Sequence, residues 1–93
     1  MQRRAVRLTI RGRVQGVGYR WWASRTARRL GLDGWVRNRL DGSVELLAIG
    51  PQPAIEALIE ACREGPAEAM VSSVAQVDAK DDGCEGFDSR PTA

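Results

Sequence analysis

Two short segments hold the groups best suited to chemistry. The first is Val14-Gln15-Gly16-Val17-Gly18-Tyr19-Arg20. Its glycines permit backbone angles that other residues avoid. A tight loop feeding a helix N-terminus turns successive free N–H groups toward one point, which makes an anion-binding nest. Arg20 follows at once, and a guanidinium there can grip an oxyanion with two parallel hydrogen bonds while the amides hold its other oxygens. The loop matches neither GxGxxG nor GxxxxGKS/T, so the common nucleotide fingerprints are excluded. Taken alone, this signal is weak, since glycine loops between strand and helix are common as plain connections. The second segment is Gly34-Trp35-Val36-Arg37-Asn38-Arg39, with Asp41-Gly42 close behind. Asn38 is a poor strand former inside a strand-like stretch. By itself it reads first as a turn approach or a satisfied structural amide.

The rest of the composition narrows the chemistry. The 93 residues contain no histidine. That removes Ser-His-Asp and Cys-His schemes, the usual neutral-pH general base, and zinc sites built on imidazole. Cys62 and Cys84 lack CxxC spacing, so no metal site is expected, and two cysteines fit a reducing compartment rather than a disulfide framework. No apolar run approaches the ~20 residues of a membrane-spanning helix. The opening Met1-Gln2-Arg3-Arg4 has no apolar block of signal-peptide type. A cytoplasmic protein with no membrane partner is expected. The acidic run from Asp78 to Asp82 lacks calcium-loop spacing and reads as a solvated turn.

Charge is divided along the chain. Residues 1–40 hold eleven arginines and one acid, a balance of +10, while residues 41–93 hold three basic residues and eleven acids, a balance of −8. A phosphate-bearing partner suits the positive half, whether a small molecule or a nucleic acid. A fold that interleaves the halves would instead blend these charges into an ordinary surface. Arg13, Arg37 and Arg39 could steer an anion but fit solvated strand faces; Trp21, Trp22 and Trp35 fit packed or partly buried positions.

The elements that position the two segments can be read from periodicity. Ala5 to Arg13 alternates, with Val6, Leu8, Ile10 and Gly12 on one face, as in a half-buried strand. Tyr19, Ala23, Thr26, Ala27 and Leu30 form a helical stripe that Gly31 ends. Gly34 to Arg39 and Ser43 to Ile49 read as a hairpin turning at Leu40-Asp41-Gly42. After Gly50-Pro51-Gln52-Pro53, residues Ile55, Leu58, Ile59 and Cys62 mark a second helix that Gly65-Pro66 closes. Met70 to Ala79 is strand-like, with Val71, Val74 and Val77 suggesting a bulge or twist. Gly86 to Arg90 suggests a short last strand. The order predicts an α+β fold: a ferredoxin-like split β-α-β sandwich, βαββαβ, with two helices on one face of an antiparallel sheet, in one domain over residues 1–93.

Together the two segments resemble the acylphosphatases. Gly12-Arg13-Val14-Gln15-Gly16-Val17-Gly18-Tyr19-Arg20 and Gly34-Trp35-Val36-Arg37-Asn38 are similar to that family's paired signatures, and the likeness spans nearly the whole chain. The family has a ferredoxin-like fold and hydrolyses the carboxyl-phosphate bond of acyl phosphates. The resemblance implies a phosphate-binding loop of Gln15, Gly16, Val17, Gly18 and Tyr19 acting through backbone N–H groups. It implies catalytic roles for Arg20, on the phosphoryl oxygens, and for Asn38, orienting the attacking water. Gly18 stands where many members carry an aromatic residue. In some members the catalytic arginine pairs with the terminal carboxylate.

The residue inventory suits that reaction. A carboxylate leaves without a general acid, and the charge of the phosphoryl-transfer transition state spreads over three oxygens, so positioning and electrostatics carry most of the work. The expectation is a small-molecule acyl phosphate as substrate, inorganic phosphate as product, no cofactor, no metal and a monomer. The rival is a small basic ferredoxin-like RNA-binding module. It would need aromatic side chains on its central strands, and the first strand offers only Arg7, Thr9, Arg11 and Arg13 on its polar face. A third reading is a regulatory domain detached from a larger enzyme.

Overall fold

The computed structural model describes residues 3–93. The elements are β1 (Arg4–Arg13), α1 (Tyr19–Arg29), β2 (Asp33–Asn38), β3 (Val44–Gly50), α2 (Gln52–Glu64), β4 (Met70–Asp78) and β5 (Phe87–Arg90). The strands form one sheet in the order β4-β1-β3-β2-β5. The first six elements follow the predicted βαββαβ order, with β1, β2, β3 and β4 paired antiparallel. The sheet as a whole is mixed, not antiparallel, because β5 adds itself parallel to β2, with Gly34 opposite Phe87 and Arg37 opposite Arg90. The chain reaches that edge by a free run after β4, so no helix is needed to reverse it.

The apolar stripes do the assembling. Val6, Leu8 and Ile10 of β1, the Tyr19 and Ala23 face of α1, and Ile55, Leu58 and Cys62 of α2 meet in one core on one side of the sheet. On the open side Ala5, Trp35, Leu47 and Ile49 form a smaller buried cluster. At about 25 cal/mol per Å² of buried apolar surface, these positions supply most of the driving force. The irregular spacing in β4 has a local cause. Between the pairs Arg11–Ser73 and Gly12–Val71 the register slips by one, leaving Ser72 as the extra residue of a bulge. Val71 and Val74 consequently share the helix-covered face, while Val77 is exposed on the other.

The helix ends hold the site in place. Leu32 N–H bonds Ala27 O (2.9 Å) and Gly31 N–H bonds Arg28 O (3.0 Å), a Schellman closure of α1 that Gly31 permits with φ +73°. The Tyr19 hydroxyl donates to Cys62 O at 2.7 Å, which caps one of the last carbonyls of α2 and ties the start of α1 to its end. Burial pushes the Cys62 thiol up to about 11. Burial, with Cys62 beside it, also drives the Tyr19 phenol far above its ordinary value.

Gly34 sits where β2 crosses β3 most tightly. Its φ is +134° and a Cβ there would stand 1.9 Å from Leu47 O. Gly34→Ala is expected to cost about 3 kcal/mol or more through strain and overpacking; an equilibrium urea curve near that of the parent would refute the close approach. A second expectation concerns alkali. Folded Cys62 and Tyr19 keep their protons at pH values where the unfolded chain releases them, so stability is full below about pH 9 and declines as pH rises through about 11. Cys62→Ala should flatten the fall between those values, measured as the slope of unfolding free energy against pH.

Candidate active site

The loop between β1 and α1 is built from donors with nothing to donate to. Gly16 and Gly18 take left-handed φ of +74° and +78°, and Gly18 is the N-cap of α1 with no side-chain cap. The first internal bond of the helix runs from Trp22 N–H to Gly18 O at 3.0 Å. The N–H groups of Tyr19, Arg20 and Trp21 therefore lack helical acceptors. Among the described residues no carbonyl outside the regular elements accepts from Gly16, Val17 or Gly18 either. No acid occupies the first turn, so the positive end of the helix dipole is not neutralised.

Gln15 fixes this loop against the strand hairpin. Its Nε2 donates to Arg39 O at 2.8 Å and to Ser43 O at 2.9 Å. Those carbonyls belong to the connection of β2 to β3. That connection is a five-residue loop, residues 39–43, wider than the tight Asp-Gly turn expected from sequence. Arg39 N–H closes it on Ser43 O at 2.8 Å, and the Asp41 carboxylate accepts from both the amide and the hydroxyl of Ser43. Asn38 is the last residue of β2, directly before this loop, and half-buried. Its carbonyl accepts from Ala93 N–H at 3.1 Å. One carboxamide thus sets the distance between the nest and the strand end that carries the other.

Arg20 is half-buried and reaches β5, its Nη1 donating to Arg90 O at 3.2 Å. Arg28, two turns on, donates from Nε and Nη2 to Phe87 O at 3.1 and 2.7 Å. Two arginines of α1 therefore tie down carbonyls of the edge strand. Gly86 N–H is held in turn by Asp33 Oδ1 at 2.9 Å.

A cleft of about 440 Å³ opens over the loop, and Gly16, Gly18, Tyr19, Arg20 and Asn38 all line it. The side chains of the two predicted members that do not line it are engaged elsewhere. Gln15 braces the hairpin, and Val17 packs against the core. Trp21, Ser24, Arg25, Arg28 and Ser89 also line the cleft and were not singled out from sequence as site residues. Four of them were legible in principle. At about 100° per residue, positions 20, 21, 24, 25 and 28 fall in one sector of the helix, opposite the core stripe. Ser89 was not, since only the parallel docking of β5 delivers it. Trp22 packs edge-on to Tyr19 at 5.3 Å and Trp35 is buried, as expected. Trp21 is not: it is 65% exposed at the cleft.

The acylphosphatase family profile matches residues 6–89, all of the sheet's central strands and both helices. The chain belongs to the acylphosphatase family. An acylphosphatase of Acidiphilium cryptum is 49% identical over 88 residues, covering 95% of this chain and 97% of its own. The solved acylphosphatase of Coxiella burnetii superposes with a TM-score of 0.91 at 36% identity, over 95% of this chain and 93% of that one. That of Bacillus subtilis gives 0.89 at 36% identity, over 92% and 97%. The activity is accordingly acyl-phosphate hydrolysis, and the RNA-binding reading is not favoured. The open sheet face agrees: its buried Trp35 is covered by Arg37 and Arg90, 4.8 and 5.0 Å from the ring, and presents no stacking platform.

Gln15→Leu should remove the brace while leaving each carbonyl one other bond, a loss of about 1–2 kcal/mol in stability. The turnover number should fall about tenfold or more in the still-folded variant, because misplacing reacting groups is costly. Parental turnover at reduced stability would limit Gln15 to a structural part.

Proposed function

We propose that Arg20 and Asn38 perform the hydrolysis together with the backbone N–H groups of residues 15–19. The phosphoryl oxygens sit in the nest, where fixed dipoles meet charge that grows in the transition state. The Arg20 guanidinium takes two of the remaining lone-pair directions, and its bond to Arg90 O keeps the fork aimed along the cleft. The Asn38 carboxamide accepts from the attacking water and lines it up behind phosphorus. The carboxylate then leaves opposite, without a general acid. The water's proton passes to phosphate oxygen as the new bond forms. No step calls on a cofactor or on a group that titrates near neutrality, which suits a chain without histidine.

The observation that supports these roles above all others is that a single cleft is lined by Arg20, Asn38 and the glycines of a loop with free donors. The reading includes a monomer, with residues 1–93 as a single domain, in the cytoplasm. No helix among the described residues is long and apolar enough to cross a membrane. Benzoyl phosphate kinetics test the assignment. Arg20→Ala and Arg20→Lys should each cost about 3 kcal/mol or more of transition-state stabilisation, about a hundredfold in turnover. Asn38→Ala should lower turnover comparably with a smaller effect on KM. Near-parental rates in either position would overturn the role assigned to it.

A further inference from the structure

At about 440 Å³ the cleft has room for more than a phosphate, and its lining has a charge pattern of its own. It is lined by three arginines, Arg20, Arg25 and Arg28, and by no acid. Most arginines of the sheet are neutralised: Arg3, Arg4, Arg7, Arg11, Arg37 and Arg39 all pair with carboxylates. The α1 segment carries Arg20, Arg25, Arg28 and Arg29 with no acid, and none of these four forms an ion pair among the described residues. Of the arginines in the first half of the chain that form no ion pair among the described residues, all but Arg13 lie on α1, and three of them line the cleft.

The three guanidiniums differ in what they have left to give. Arg28 is spent on Phe87 O, and Arg20 faces the nest. Arg25 makes no side-chain hydrogen bond among the described residues. Its Cζ lies over the Trp21 ring, 4.6 Å from the centroid. Stacking leaves all in-plane N–H donors of a guanidinium free while restricting its motion. Trp21 is itself largely exposed, so its indole serves Arg25 rather than the core. Arg25 lies five residue steps after Arg20 along the helix, an axial rise of about 7.5 Å. That spacing suits one small molecule carrying a phosphoryl group at one end and a second anion at the other.

We infer that Arg25, held by Trp21, is an acyl-side specificity determinant that selects acyl phosphates whose acyl group bears its own negative charge, a carboxylate or second phosphate. The inference rests on the acyl-phosphate reading above and names the substrate class within it. Arg25 binds the distal anion, and Trp21 acts as a positioning residue through the guanidinium.

The test compares 4-carboxybenzoyl phosphate with benzoyl phosphate, which share shape and leaving chemistry but differ by one distal charge. The ratio of their kcat/KM values is expected to be about three- to fivefold higher in the parent than in Arg25→Gln, the size of an exposed charge pair. It should decline with added sodium chloride, since such a pair is screened. Trp21→Ala should lower the ratio part of the way. Arg29→Gln, which removes a charge outside the cleft, should leave the ratio at the parental value. A ratio unchanged in Arg25→Gln, or lowered as much by Arg29→Gln, would overturn the inference and leave acyl-phosphate hydrolysis standing. Failure of the parent to hydrolyse either compound would overturn the underlying reading, and the inference with it.

Discussion

The working geometry depends on two hydrogen bonds from one side chain. The Gln15 carboxamide spans from the nest to the carbonyls of Arg39 and Ser43, and so sets where the end of β2 lies relative to the start of α1. Neither element could do this alone. The loop is glycine-rich and intrinsically loose; the hairpin connection is exposed at its tip, with Leu40 87% accessible. Joined, they bring a row of unpaired N–H groups and a half-buried asparagine to one cleft. A loop carrying function is held by rigid neighbours on both sides, which is the usual division of labour in enzymes.

The second organising feature is electrostatic. The chain is nearly balanced overall, at +2, yet its charges do not cancel evenly. The acids of the second half reach back to particular partners. Asp78 pairs with Arg4, Asp81 with Arg3, and Glu45 collects Arg7, Arg37 and Arg39. The aspartate pairs are largely exposed and worth little each in stability, while Glu45, its side chain 14% exposed, is half-buried among its three arginines. Their effect is one of subtraction: they neutralise most arginines of the sheet and leave four uncompensated on α1. An acyl phosphate approaching this surface meets a field that grows toward the nest, where the helix dipole adds to it.

These two features explain how so spare an inventory carries out a hydrolysis. Phosphoryl transfer from a carboxylate leaving group asks for little proton management and much preorganisation. In the proposed mechanism, fixed amides, one guanidinium and one carboxamide meet that need without a titrating catalyst. The nearby titratable groups that burial perturbs, Tyr19 and Cys62, are engaged with each other beneath the site and hold the helices together. Their protonation bears on stability in alkali.

The sequence alone determined the elements and the candidate chemistry. Alternation in β1, the stripes of α1 and α2, and Gly31 and Gly65 at the helix ends are local signals, because backbone sterics and solvent sort residues by period before any tertiary contact forms. The two signatures also marked Arg20 and Asn38 as candidates, through their resemblance to those of the acylphosphatases. Tertiary structure decided what was not local. The parallel docking of β5 makes the sheet mixed and brings Ser89 to the cleft. The slip at Ser72 reconciles Val71 and Val74. The brace from Gln15 and the exposure of Trp21 beneath Arg25 also appear only in three dimensions. Such features depend on which distant carbonyls and rings lie within a few ångströms of a side chain, and spacing along the chain carries no record of that distance.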